Sequence, residues 1–531
     1  MKYFFILILN SFVCFSQVNP SQIGSSLSGT MLEDRFGFSV SLSDDGLRLA
    51  IGAPYHDDLK GKVYIYHWEE TDWVFKQSFI ESSVNSEFGY DVALSGDGNT
   101  LAVGAPGYDN GSITDVGKTT IYSFINNSWS QTKVIIGDQN FDRSNSYMTG
   151  GYLNNLYSGF ALDLNFDGTI LLFTEPGWNM QQSTSWYRAG RTLLYRKLAG
   201  VWTYSPSPTV GGSSENYIRG GGRHYAGSDV SINRDGKRIA LSNTGWYWYN
   251  NANVNYVTGR SKLFEYTAGA TNDFSLLDQR AYWGPSNDDK KNHIGGEGTT
   301  HGYSLSVSDN GRYLVVGEPS TGRSHRGGPN TGGIRVFDYL NVTVDNGVAW
   351  SSNLNGPHIY ENFGISQKIS GNGKHLLVTS SDHAYFYGLT FPESGISNGV
   401  NADFDLLHTF DSYNFYKKSP HSNGINFESI GYRIKIGGNK NNSIDIDNKG
   451  RLVAVGSLSS TTSFTGQVVI YNTNIAPSIS SLSSSDADNI VTDSDNITIT
   501  AIFDADMATA PNITIGSLVS NVTMTAVSST T

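Results

Sequence analysis

The chain has 531 residues, more than one hydrophobic core usually supports, so several units or a repeat array are expected. Its 59 glycines and 30 tyrosines, with only 16% charged residues, suit short strands joined by tight turns and argue against a helical protein. A formal charge of −12 argues against a nucleic-acid partner, which needs clustered positive charge.

At the start, Lys2 is followed by the apolar run Tyr3 to Leu9 and a mixed stretch ending at Ser16. The run is too short to span a bilayer and fits a cleavable signal peptide over residues 1–16, which predicts a secreted, extracellular or cell-surface protein. No other segment is apolar enough to be read as transmembrane. The single cysteine, Cys14, lies inside this leader, so neither a disulfide nor a thiol is expected in the mature chain.

A spare strand, Ser21 to Gly24, precedes an internal repeat that fills residues 17–474. Each unit opens on a glycine: Gly37, Gly89, Gly159, Gly227, Gly302, Gly364 and Gly431. The third and fifth residues after it are apolar (Val40 and Leu42, Val92 and Leu94, Leu162 and Leu164, through Ile434 and Ile436), with Gln367 the one polar exception. That period of two marks a strand with one buried face. A turn closes on Gly46, Gly98, Gly168, Gly236, Gly311, Gly373 or Gly450, usually after Asp or Asn. An all-apolar second strand follows, such as Leu49-Ala50-Ile51 or Leu101-Ala102-Val103, as expected of a strand covered on both faces. A third strand carries Tyr66, Tyr122, Tyr195, Tyr266, Tyr339, Tyr387 or Tyr471 at its end, and a fourth is visible at Trp73, Trp129, Trp202, Phe274 and Phe404. Seven units of four strands with no helical crossover predict an all-β fold, a seven-bladed β-propeller. The seventh unit leaves at Ile475-Ala476-Pro477 without its own fourth strand, so residues 20–27 are expected to complete that blade and close the ring.

Phe36-Gly37 with Gly52-Ala53-Pro54, and Phe88-Gly89 with Gly104-Ala105-Pro106, resemble the FG-GAP repeat. That repeat builds the propeller head of integrin α-chains and of many secreted bacterial surface proteins, and the resemblance implies the same fold here over about residues 34–474. It is partial at Gly317-Glu318-Pro319 and at Glu175-Pro176, and faint in the other units. The family's calcium loop has the form D-x-D/N-x-D-G-x-x-D. Here the loop is one residue short, Ser43 and Ser95 hold its early positions, and Lys449 puts a cation beside Gly450. Calcium is thus possible by resemblance, but its motif is degraded, and no metal or other cofactor is expected.

Residues 475–531 change character, rich in Ser, Thr and Asp. Expected strands at Asn496–Phe503, Asn512–Ile515 and Asn521–Val527 resemble the front half of a bacterial immunoglobulin-like β-sandwich. Such sandwiches need about 100 residues, so this part is expected to be incomplete and the chain to be a fragment of a longer one.

The histidines show no metal-ligand spacing, and neither a G-x-S-x-G elbow nor a P-loop occurs. Sialidase Asp-boxes carry an aromatic three residues after the turn glycine, where this chain has Leu49, Leu101 or Ile239. The expectation is therefore not an enzyme but a recognition or adhesion module for a protein or carbohydrate. The alternatives are a polysaccharide lyase or hydrolase and a structural spacer. Candidate ligand-binding residues lie on the long connections of units three to five: Trp178, Trp186, Tyr187, Trp246, Trp248, Trp283, Arg323, His325 and Arg326. Aromatic rings offer rigid contact area and stack on sugars, and arginine adds forked donors.

Overall fold

The computed structural model describes the chain apart from residues 1–18, 138–154, 206–225, 282–300, 320–330, 341–349, 411–443, 458–465 and 524–531, and shorter stretches between strands. Residues Gln17–Thr473 form one compact unit, in which seven antiparallel sheets follow one another along the chain. The inner strands are Ser39–Leu42, Val92–Leu94, Leu162–Leu164, Ala226–Ile232, Leu305–Val307, Gln367–Ile369 and Ile444–Ile446. Each lies against the next, and that of blade seven lies against that of blade one, so the ring is closed.

Alternation on the inner strand fixes the register. In blade one Val40 faces Ile51 and Leu42 faces Leu49, and all four are buried. Leu49, Ala50 and Ile51 have no exposed surface, because the second strand is covered by the neighbouring blades on both sides. Burying an aliphatic side chain of this size contributes about 1.5–3 kcal/mol, and every blade repeats the arrangement. The recurring tyrosine sits opposite the start of the second strand, Tyr66 against Leu49 and Tyr122 against Leu101.

Two glycines in the repeat have distinct physical duties. Gly89 adopts φ +89° in a turn where Tyr90 N–H donates to the Glu87 carbonyl at 3.0 Å, a conformation that costs other residues about 1–2 kcal/mol. Gly52, on the second strand of blade one, lies against Gly89 of blade two. A Cβ there would stand 2.1 Å from the Gly89 carbonyl oxygen. Gly104 meets Gly159 and Gly317 meets Gly364 in the same way, at 2.0 and 2.3 Å. The two halves of the motif are thus complementary surfaces of adjacent blades.

Blade seven is completed from the N-terminus. Ser21 and Gln22 pair with Asn472 and Tyr471, and Leu27 and Ser28 pair with Val468 and Gln467. Between them Ser25 donates to Asp72 of blade one through its N–H (2.7 Å) and its hydroxyl (2.9 Å). Two expectations need correction. The inner strand of blade seven is Ile444–Ile446, with Ile444 opposite Val455 and Ile446 opposite Val453. These residues hold the places assigned from sequence to Ile434 and Ile436, because the pairing is set by distance from the turn at Gly450 and not from Gly431. Blade five also has an outer strand, Trp350–Asn355, that the sequence reading passed over.

The described residues after 474 belong to a second unit. In it Ile479–Ser484 pairs with Ile499–Phe503, and Asn512–Ile515 with Val519–Thr523. The strand at 479–484 was not expected, and the two separate pairs do not establish an immunoglobulin-like sandwich.

Candidate binding face

In a four-stranded meander, the turns after strands one and three lie at one end of the blade. The connections after strands two and four lie at the other. The first end is tied from blade to blade. Successive turns are joined by backbone hydrogen bonds, such as Asp44 N–H to the Gly96 carbonyl (2.9 Å) and Asp309 N–H to the Gly371 carbonyl (3.0 Å). Across the channel Arg234 of blade four pairs with Asp44 of blade one and with Asp309 of blade five (3.2 Å). Asn448 of blade seven donates to the same two carboxylates, at 3.2 and 2.6 Å, and the Arg234 guanidinium lies 3.4 Å from the centre of the Phe166 ring. Burial and the nearby Asp44 push the Asp309 carboxyl up, against the pull of Arg234.

Above this clasp the channel holds a cavity of about 120 Å³ with polar side chains on its wall. An inner strand has one edge without a backbone partner, and the preceding blade supplies acceptors for it. Leu94 N–H donates to Ser41 Oγ (3.0 Å), Leu162 to Asp91 (2.8 Å), Ile232 to Asp163 (2.8 Å), Leu305 to Asp229 (2.7 Å), Ile369 to Ser306 Oγ (3.1 Å) and Leu42 to Asp445 (2.7 Å). At the remaining junction, from blade six to seven, the equivalent residue is Lys368. Burial opposes its charge, but Asp445, Asp163, Asp229 and Asp91 outweigh that and hold the ammonium above the usual lysine range. Burial raises Asp163 to about 6 despite Lys368. These carboxylates are engaged in holding blades together.

The other end is open and irregular. Where the inner strands begin at this end, Phe38, Tyr90 and Phe160, none more than 3% exposed, touch in sequence, with ring centres 5.1 and 5.2 Å apart, and Arg35 stacks on Tyr55 at 3.8 Å. Two residues before the opening glycine, Arg35, Glu87, Tyr157 and Asn362 all hold positive φ, between +53° and +57°. Such backbone is strained for residues other than glycine and tends to gather at binding surfaces. Glu87 is only 6% exposed, and burial, reinforced by Asp115, pushes its carboxyl up to about 7 against the influence of Arg35.

The long connections of blades three and four fold into extra hairpins outside the blade sheets. Asn179–Gln182 pairs with Ser185–Arg188, and Tyr247–Tyr249 with Asn255–Val257. The first carries Trp186 and Tyr187, the second Trp248. Trp178 is different. It is 4% exposed and packs on Val116 and Leu156, with the Arg191 guanidinium 5.4 Å from its ring, so it anchors the base of the hairpin and is not offered to a ligand. Trp246, Trp283, Arg323, His325 and Arg326 lie outside the described residues.

Sequence reasoning missed a relay between blades four and five. His301 stands where other repeats place phenylalanine. One ring nitrogen lies 2.9 Å from Ser261 Oγ, and the other lies 2.6 Å from Glu318, which Arg335 also binds at 2.7 Å. Burial opposes the Glu318 charge, yet Arg335 and His301 hold its carboxyl at about 2. The connectivity is that of a nucleophilic triad, but Ser261, His301 and Glu318 are at most 1% exposed, so no substrate reaches the hydroxyl. The replacement of Ala by Glu in Gly317-Glu318-Pro319 was the available signal. Glu175, in the same place in blade three, pairs with buried Arg191.

Seven four-stranded blades in a closed ring, with paired glycines at several junctions, define the class, a seven-bladed β-propeller. Residues 28–66, the first repeat of the ring, match the FG-GAP repeat family. No curated protein matches it. Among solved structures, hydrazine synthase from Kuenenia stuttgartiensis is similar at 11% identity and a TM-score of 0.46, over 84% of this chain and 98% of that one. The periplasmic gluconolactonase of Pseudomonas aeruginosa is similar at 13% identity and a TM-score of 0.41, over 70% and 85%. Among the described residues no helix is long and apolar enough to cross a membrane.

Proposed function

We propose that this protein is a secreted or cell-surface recognition module that binds a protein or carbohydrate, without catalysis, at the open end of blades three to five. The observation that carries the reading is the pair of hairpins added to blades three and four, which bring Trp186, Tyr187 and Trp248 out of the blade sheets. Insertions on a rigid scaffold are where binding residues concentrate, and tryptophan and tyrosine dominate binding energy once desolvated. The charged groups of the channel already serve the blades. A screen of immobilised glycans and extracellular-matrix proteins tests the reading. The Trp186→Ala/Tyr187→Ala and Trp246→Ala/Trp248→Ala variants should each lose at least about tenfold in affinity for any hit while melting like the parent. Unchanged affinity in both would refute it.

A second reading, a polysaccharide hydrolase or lyase, draws on Glu87. A buried carboxyl that titrates near 7 is poised for general acid catalysis. Product release from a polysaccharide, abolished by Glu87→Gln, would favour it over recognition.

A further inference from the structure

Blade six carries a group of side chains that none of these roles absorbs. Its second and third strands, His375–Thr379 and Ala384–Thr390, are joined by a tight turn in which Ser380 N–H donates to the His383 carbonyl (2.9 Å) and His383 N–H donates to Ser380 Oγ (3.1 Å). The turn fixes His383 at the open end. His358, on the connection from blade five, is exposed and lies beside it, with ring centres 5.7 Å apart and planes 35° from parallel. Behind His383 stands Glu361, whose Oε1 is 3.2 Å from His383 Nδ1. Its Oε2 accepts from Tyr385 (2.8 Å) and from Ser380 (3.1 Å).

We infer that His358 and His383 form a binding site for a borderline divalent transition cation such as Zn²⁺, with Glu361 as the positioning residue for His383. The spacing fits the chemistry. With metal–nitrogen bonds of about 2.0–2.1 Å, two imidazoles on one ion place their ring centres roughly 5–6 Å apart. A carboxylate beside one ring nitrogen orients the ring by charge, and Glu361 lies close enough to His383 to do so without meeting hydrogen-bond geometry. Among the described residues no three His, Cys, Asp or Glu side chains converge on a common point, so Glu361 belongs behind the ligand and not on the metal. Two protein ligands leave the other coordination positions to solvent or to a donor atom from another molecule. Imidazole selects zinc, nickel or copper, whereas calcium prefers oxygen ligands.

Chelator-treated full-length protein titrated with Zn²⁺ by calorimetry, and with Co²⁺ by visible absorption, tests the assignment. One equivalent should bind, with Co²⁺ giving bands from nitrogen coordination, and excess Ca²⁺ should not displace it. His358→Ala, at an exposed position, should weaken Zn²⁺ binding at least tenfold and remove those bands without changing the melting temperature. Glu361→Gln should weaken binding about 10–100-fold and retain the bands at saturation. A His358→Ala protein that binds Zn²⁺ as the parent does, or a parent that binds none, would overturn the proposal.

Discussion

The two ends of the propeller are built on opposite principles. At the turn end, near-identical hairpins touch through backbone hydrogen bonds, and Arg234, Asp44, Asp309 and Asn448 reach across the channel from blades four, one, five and seven. At the open end, the connection between strands two and three ranges from the tight turn Ser380–His383 to an added hairpin. The lesson is one of division of labour. Contacts across the channel are concentrated where repeats are alike, which leaves the other end able to differ from blade to blade.

Variants that separate these roles sharpen the contrast. The largest effect should come from deleting residues 19–29 while keeping residues 1–18, because blade seven loses its outer strand and the tie through Asp72. We expect a loss of more than about 4 kcal/mol by denaturant titration. Next is Trp178→Ala, which empties a buried site at the root of a hairpin and should cost about 3–5 kcal/mol, unlike the alanine variants at 186 and 248. Glu87 predicts a pH effect of roughly 3 kcal/mol. Its folded carboxyl titrates near 7, above its unfolded 4.5, so the folded state binds more protons between these values. Stability should fall as pH rises from about 4.5 to 7, and Glu87→Gln should remove chiefly the part of that fall above about pH 6. Asp163 and Asp447, each raised to about 6 chiefly by burial, contribute the same sign between 3.8 and 6, and burial also raises Asp34, Asp115, Asp309 and Asp445. Glu318, held at about 2, opposes them only as pH falls below 4.5. The smallest effect should be Arg234→Met, about 1–2 kcal/mol and weaker in high salt, since its side chain is 36% exposed.

Much of the architecture was legible because the repeat writes its own register. The opening and turn glycines, the alternation of Val40 and Leu42, and the missing fourth strand of unit seven together specified a closed ring. The outer strand of blade five was missed although Trp350 leads it as Trp73 and Trp129 lead theirs. After Trp350 that strand holds a single apolar side chain, Leu354, so its own residues carry little pattern. The roles of Asp91, Asp163, Asp229 and Asp445 were not legible, because each serves the unpaired edge of the next blade and looks in sequence like an ordinary polar alternation. The same holds for His301, whose partners Ser261 and Glu318 come from different strands. Gln367, the exception to the apolar pattern, is buried and donates to the Val315 carbonyl at 3.1 Å, a partner in the preceding blade that sequence does not reveal. Trp178 and Trp186 are close in sequence, and only its burial in the structure marks Trp178 as an anchor.

One measurement bears on the division between ends most directly. Residues 179–188 and 247–257 would be replaced by short Gly-Ser turns in the full-length protein. Affinity for a glycan or matrix ligand identified with the parent would then be compared at matched folding. Binding lost with the melting temperature within a few degrees of the parent's is the expected result; binding that persists undiminished would place recognition elsewhere and contradict an open-end site on blades three and four.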